Sequence, residues 1–320
     1  MLELIGRRAL GLVPVVIAAS ILTFGLLSIL PGDVAVTGLG DSFTQEQLDA
    51  RRAELGLDDP IPVRYLSWVT GAVRGDLGRS ATTNQQVSQV ILQRAPVTLQ
   101  IMLMTFVLAL IFSIPLGVLT AYKAGSYFDR ITSAITFGML SIPNFVMGLL
   151  LIILVAVELG WLPASGWTRF SEDPIGSIRT GMLPAITLAM GVIAVLTRLL
   201  RTDMISTLQD DHVVLAKSKG LPTSRILFRH ALRPSSFSLM TVLGLQMAAA
   251  ISGSVVIEEI FALPGLGREL FSSVRQQNLP VVQGLVLLLA VIYVLINFIV
   301  DMLYSFLDPR IRHGYVRSTS

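Results

Sequence analysis

The chain contains no cysteine, which removes disulfides, thiolate metal ligands and a cysteine nucleophile. Charge is scarce: Asp, Glu, Lys and Arg make up 14% of the residues, against about 25% in a soluble domain. The three histidines, His212, His230 and His313, show no ligand spacing. No Gly-Lys pair occurs anywhere, so the chain has no phosphate loop with which to hold a nucleotide. Neither Gly-x-Ser-x-Gly nor His-Glu-x-x-His is present. Charged residues are almost absent from the long apolar runs, whereas proton- and sodium-coupled carriers place them near the membrane midplane. Asp301 is the main exception, and a solvated or arginine-paired carboxylate near a span end accounts for it. There is no internal repeat. A secondary carrier and a membrane enzyme therefore lack their usual signatures.

What is present is hydrophobic length. Apolar residues make up 53% of the chain and the mean hydropathy is +0.72. A helix needs about 20 apolar residues to cross a bilayer. Six runs meet that need: Ala9–Leu30, Thr98–Tyr122, Ile131–Val157, Met182–Leu200, Phe237–Ile257 and Val281–Tyr304. The expected fold class is all-α, a polytopic membrane protein with six transmembrane helices. Arg7-Arg8 and Ala18-Ala19-Ser20 allow a signal-peptide reading of the first run. The run continues through Leu30, beyond the 7–15 residues of a signal core, which favours an uncleaved span.

Six spans place both termini on one side. With the termini, loop 123–130 and segment 201–235 assigned to the cytoplasm, together with flanking Arg198, that side holds 14 Lys/Arg and 7 acids. The opposite side holds 10 and 14. Net charges of +7 and −4 favour termini inside, at the cytoplasmic membrane. The expected organisation is a first span plus long external loop over 1–97, a five-helix core over 98–308 and a cytoplasmic tail over 309–320. In the loop, Thr44-x-x-Gln47 reads as a capping box that opens a helix over Gln45–Leu55, with Gly56 ending it. A solvated surface helix explains it as well as a binding role does. Loops 158–181 and 258–280 carry the proline and glycine of irregular chain.

Segment 201–235 is basic and moderately polar between two apolar runs. Leu208, Val213, Leu215 and Ala216, closed by Pro222, suggest a short helix along the membrane surface. Ala216 and Gly220 are four apart and share a helical face. Small residues so placed admit close approach by another surface. Alternatively, Gly220 is a helix C-cap. Lys217, Lys219, Arg225, Arg229 and Arg233 fit either the charge rule or anionic headgroups.

The ordered motifs decide between these readings. They are Leu30-Pro31-Gly32-Asp33, Leu55-Gly56-Leu57-Asp58-Asp59-Pro60-Ile61-Pro62 with Tyr65, Gly75-Asp76-Leu77-Gly78-Arg79-Ser80 and Arg94-Ala95-Pro96-Val97-Thr98-Leu99. Ser141-Ile142-Pro143-Asn144-Phe145, Leu162-Pro163-Ala164-Ser165-Gly166, Glu258 through Gly267 and Asp308-Pro309-Arg310 continue the series. In this order they resemble the first permease subunit of bacterial dipeptide/oligopeptide ABC importers. The general coupling-loop pattern of such permeases fits in part. Ala216, Gly220 and Leu232 match, whereas Val214, Leu215, His230 and Arg233 depart from it. The resemblance implies the ABC-importer permease fold. It implies partners: a second homologous permease, two cytoplasmic ABC ATPases, an extracytoplasmic solute-binding protein and membrane lipid, with no nucleic acid. It implies no cofactor, no metal and no catalysis in this chain. Asp211, Leu215, Ala216, Lys217, Gly220, Leu221, Arg229 and Leu232 are the expected ATPase-coupling residues. Ser141, Asn144, Gln246, Ser252, Ser254 and Glu258 are expected along the pathway as polar groups in or beside spans; interhelical hydrogen bonds or an interfacial position explain them too. Nickel, glutathione or another small solute is the alternative cargo.

Overall fold

Every long element is a helix, because a chain that crosses lipid must satisfy its peptide groups internally. The computed structural model describes residues 2–29, 44–54 and 58–307. Among them no strand occurs, only one isolated bridge between Arg79 and Gln86. In chain order the helices are α1 (Leu2–Ile29), α2 (Gln45–Glu54), α3 (Ile61–Val73), α4 (Val87–Tyr122), α5 (Tyr127–Ser141) and α6 (Asn144–Leu151). After them come α7 (Pro174–Thr207), α8 (Asp211–Ser218), α9 (Thr223–Arg225), α10 (Leu232–Ile260), α11 (Leu266–Arg275) and α12 (Leu279–Leu307). A π-helical stretch extends α6 over Ile152–Glu158, and another joins α9 to α10 over Ile226–Ala231.

Four continuous helices among the described residues are long and apolar enough to cross a membrane: Val87–Tyr122, Pro174–Thr207, Thr223–Ile260 and Leu279–Val300. The pair α5 and α6 makes a fifth if counted as one span. α1 is 28 residues long and carries a described apolar stretch, Gly11–Gly25. Several helices outrun their apolar runs. α4 has 36 residues, about 54 Å at 1.5 Å per residue, and so projects well past a core of about 30 Å.

The expected unbroken span Ile131–Val157 is corrected by the structure. The chain breaks at Ile142-Pro143, and the two halves bend by 105°. Proline lacks the amide hydrogen and drives the preceding residue out of the helical region. Ile142 accordingly sits at φ −95, ψ 124, and Pro143 at φ −57, ψ 141.

Two compact units divide the chain. The first comprises residues 1–99 and 262–295; the second comprises 100–261 and 296–320. Residues 262–295 thus group with residues 1–99. The expected tail, 309–320, lies outside the described residues. In the first unit, Val87, Val90, Ile91, Leu266, Val281 and Leu285 form the core. Asn278, 4% exposed, fastens the turn before α4. Its Oδ1 accepts from Ala81 N at 3.0 Å, and its Nδ2 donates to Ser80 Oγ and Thr82 Oγ1 at 2.8 and 3.0 Å. The capping box is present: Thr44 N donates to Gln47 Oε1 and Gln47 N to Thr44 Oγ1. Gly56, its expected terminator, lies outside the described residues.

The second unit is built around α7, the most enclosed of the crossing helices. Asp173 caps it, accepting from Ile175 N and Gly176 N, and Pro174 occupies its first turn. Leu196, Leu200 and Met204 are fully buried among Ala109, Val118, Ala121 and Ala231. Glycine permits a close approach here: a Cβ on Gly117 would lie 2.8 Å from Leu200 Cδ2. Gly138 faces open space. Gly117→Ala is therefore expected to destabilise the protein by about 1–3 kcal/mol through overpacking. Gly138→Ala should be neutral or stabilise by up to about 1 kcal/mol through helix propensity. Thermal unfolding of the two variants in detergent checks the contrast.

Candidate functional site

α7 does not stop where its apolar run stops at Leu200; it carries Arg201 to Thr207 as helix. A turn at 208–210 leads into α8, the short helix expected from the sequence. α8 ends in a Schellman motif: Leu221 N donates to Ala216 O at 3.3 Å, and Gly220 N donates to Lys217 O at 2.9 Å. Gly220 has φ +72, the left-handed conformation that glycine adopts without strain. Pro222 then opens α9, and the chain runs as helix to Ile260.

This geometry sorts the expected coupling residues. Val213 is fully buried and Ala216 is 5% exposed. Both pack with Ile226 into a small core closed by Leu208 and Leu221. The four-residue spacing of Ala216 and Gly220 is not a common helical face, because the helix ends at Ser218 before the glycine is reached. Ala216 is turned into the chain's own packing, and Gly220 is the cap. The outward apolar side chains are Val214, 51% exposed, Leu215, 56%, and Phe228, 58%. Asp211, Lys217, Lys219, Arg225 and Arg229 are exposed around them. Leu232 is partly buried against the larger core. His212 Nε2 lies 3.3 Å from His230 O, which ties the two arms of the segment together.

One anchor of this segment escaped sequence reasoning. Arg201 Nε and Nη2 bond Asp129 Oδ1 and Oδ2 at 2.6 and 2.7 Å, a bidentate pair. The Asp129 side chain is 5% exposed and that of Arg201 30%. Gly125 N also donates to Asp129 Oδ2 at 2.8 Å, and Ser126 Oγ caps α5 by accepting from Asp129 N. The connection between α4 and α5 is thus bolted to the helix that leads into α8. The sequence signal was Ser126-x-x-Asp129, a helix-start pattern, with Arg201 as the first polar residue after an apolar run.

The expected pathway residues separate as well. Ser141 and Asn144 are exposed on either side of the proline break. Ser141 Oγ donates to Phe137 O at 2.9 Å. Asn144 lies close enough to Gly191 of α7 that a Cβ there would meet its Oδ1 at 3.5 Å. Ser252 is exposed and Gln246 half-buried. Ser254 is buried and donates to Ile251 O at 2.8 Å, and Glu258 is fully buried. A broken helix with polar groups at its ends is how membrane proteins present backbone to a cavity. Arg198 lies 4.1 Å above the Phe137 ring beside this break. Its neighbours Leu140, Val195, Leu199 and Thr202 line an open pocket of about 340 Å³ with it. Among the described residues no cluster of His, Asp or Glu is placed to hold a metal ion.

An all-helical chain with several helices long and apolar enough to cross a membrane, one broken pair and a short capped helix between two of them has the architecture of a polytopic membrane protein. The chain belongs to the family described as binding-protein-dependent transport system inner membrane component, which matches residues 113–313. The N-terminal component of the same kind of system matches residues 1–102. A Brucella abortus permease named for a peptide transport system is 41% identical over 313 residues, 98% of this chain and 100% of the relative. The di/tripeptide transport system permease protein of Pseudomonas aeruginosa is 36% identical, covering 98% and 99%. The glutathione transport system permease protein of Pectobacterium atrosepticum is 35% identical, covering 98% and 100%.

The bidentate pair gives a direct test of the anchor. Breaking a buried pair leaves an uncompensated charge and costs about 3–5 kcal/mol; the partial exposure of Arg201 places Asp129→Asn near the low end. Asp129→Asn combined with Arg201→Leu removes both charges and should be more stable than Asp129→Asn alone. A double-mutant cycle on thermal stability measures this coupling.

Proposed function

We propose that this chain is one of two membrane-spanning subunits of an ATP-driven importer of di- and oligopeptides. Six spans with both termini in the cytoplasm are part of the proposal, supported by the excess of Lys/Arg on that side. A second permease completes the pathway, two ABC ATPases dock beneath it and a solute-binding protein delivers cargo from outside. The chain performs no catalysis; ATP hydrolysis belongs to the partners. Relatives named for peptide and di/tripeptide transport, aligned over nearly the whole chain, support the cargo class. Glutathione, named for the Pectobacterium relative, fits the alternative cargo.

The observation that carries the coupling role is α8 with its outward side chains. A short helix, capped at Gly220 and seated on its own small core, presents Val214 and Leu215 with Phe228 nearby. Exposed aliphatic and aromatic groups rimmed by charged residues suit a protein groove better than water. The docking face is therefore Val214, Leu215 and Phe228, with Asp211, Lys217 and Arg229 at its rim. Ala216, Leu221 and Leu232 hold that face in shape. ATP-driven closure of the ATPases would move α8, and the Asp129–Arg201 pair would pass that movement to the α4–α5 connection. The switch is a two-state equilibrium biased by differential contacts. Ser141, Asn144, Gln246, Ser252, Ser254 and Glu258 are proposed along or beside the pathway.

Three measurements test this. Deleting the gene should confer resistance to a toxic peptide analogue and abolish growth on a peptide that supplies a required amino acid, both restored by complementation. Retained peptide uptake with lost nickel uptake would assign the cargo elsewhere. Single cysteines at Ser171 and Gln276 should react with an impermeant thiol reagent in intact cells while one at Ser224 stays unlabelled; labelling at 224 overturns the topology. Leu215→Glu should insert normally but lose copurifying ATPase and transport. Each 1.4 kcal/mol removed from that interface lowers affinity about tenfold. Gly220→Ala, strained at positive φ but facing open space, should have the milder effect. Parental transport by Leu215→Glu would refute the docking face.

A further inference from the structure

The helix α3 takes no part in the transport reading, yet its composition is unusual for an external segment. Its thirteen residues include one charge, Arg64. Asp58 and Asp59 precede it; Arg74 and Asp76 follow it. One face turns toward α1. Ser20 Oγ donates to Ile17 O at 2.8 Å, so the 2.8 Å contact between Ser20 Oγ and Tyr65 Oη is donated by the phenol. The Phe24 ring packs edge-on to Tyr65 at 5.6 Å and tilted against Trp68 at 5.8 Å. The Arg64 guanidinium lies 5.9 Å from the same ring. The Trp68 indole nitrogen is buried without a hydrogen-bond partner.

The opposite face exposes Val63, Leu66 and Val73, at 50%, 61% and 83%. Thr70 sits among them, and its hydroxyl is spent on its own helix, on Leu66 O at 2.9 Å and Ser67 O at 2.8 Å. Such a face is poorly matched to water. Depth along α1 indicates what covers it. Ser20 and Phe24 lie ten and six residues before the end of the apolar run at Leu30, about 15 and 9 Å inside it at 1.5 Å per residue. The hydrocarbon core is about 30 Å thick. A helix seated on Ser20 and Phe24 therefore lies at acyl-chain depth. It is about 20 Å long, too short to cross, and charged residues flank both ends. α1 continues the same kind of surface with Ile17, Ile21 and Leu22, all exposed.

We propose that α3 is a short helix embedded in one leaflet, with lipid acyl chains covering Val63, Leu66 and Val73 while Tyr65 and Trp68 pack against α1 below the headgroups. The embedding rests on α1 being one of the six proposed spans, and the identity of the leaflet, the one opposite the termini, on the proposed orientation. Its role is to fix the base of the long segment between α1 and α4 at the bilayer.

The absence of native cysteine makes the test direct. Nitroxide labels at Val63→Cys, Leu66→Cys and Val73→Cys are read in the assembled transporter in phosphatidylcholine–phosphatidylglycerol vesicles, on variants that still transport. Asp59→Cys serves as the aqueous reference and Leu103→Cys, on the exposed face of α4, as the lipid reference. Collision with a water-soluble nickel chelate should fall from the Asp59 level to the Leu103 level, with oxygen collision rising to match. Brominated lipid should quench Trp68 in a Trp161→Phe, Trp167→Phe background. Nickel access at the Asp59 level overturns the proposal; if protection then appears only on adding the solute-binding protein, the face is a protein-docking surface. Sidedness errors show up as Ser224 labelling and leave the nitroxide readout unchanged.

Discussion

Lipid offers no hydrogen-bond partner to a peptide group, and an unpaired amide or carbonyl in hydrocarbon costs several kcal/mol. The long elements of this chain respond to that constraint. Helices satisfy themselves, so crossing segments are helices, and they run past their apolar runs wherever further structure is needed. Three buried hydroxyls within them fold back on the same helix: Thr120 on Leu116 O, Thr187 on Leu183 O and Ser254 on Ile251 O. Where the helix must break, at Ile142-Pro143, proline removes the amide that would otherwise be stranded.

The same constraint explains why polar specificity gathers at helix ends. Asp129 is held by Arg201, by the Gly125 amide and by its own capping turn. Asn278 satisfies three groups of the turn before α4. Each is a buried polar group that bonds a partner distant in sequence, which fixes geometry in a way that aliphatic packing alone does not. Segment 201–235 lies just beyond one such lock. Its position is therefore set by hydrogen bonds, while its outward surface stays apolar.

Much of this was legible in the sequence. Long apolar runs reveal crossing helices because the bilayer demands about twenty apolar residues whatever the tertiary packing. Thr44 and Gln47 announced their capping box because the pattern is local. The α5–α6 break was hidden because only Ser141 and Asn144 interrupt an otherwise apolar run around Pro143, and composition does not register backbone angle. The shared face expected of Ala216 and Gly220 does not form because spacing tells which residues can share a helix face but not where the helix stops; the Schellman turn at Gly220 ended it first. The Asp129–Arg201 pair joins residues 72 apart, and no short-range pattern encodes that partnership. The expected pathway residues were chosen only as polar groups within runs, and the structure finds them on different sides: Ser141, Asn144 and Ser252 exposed, Ser254 and Glu258 buried.

The π-helical stretch Ile226–Ala231 has a consequence for how the segment is wired to its span. A π turn closes a longer hydrogen-bonded ring than an α turn and is read as one residue inserted into an α-helix. Since each α-helical residue advances about 100°, that insertion rotates everything before it by roughly the same angle about the helix axis. Phe228 and the α9 residues are thus out of phase with α10, and a helical wheel drawn straight through 223–260 assigns them to the wrong side. The stretch acts as a phase shifter: the orientation of the apolar surface at one end is set independently of the buried stripe at the other. A one-residue deletion there would restore phase and turn that surface by about a quarter of a circle without altering the span.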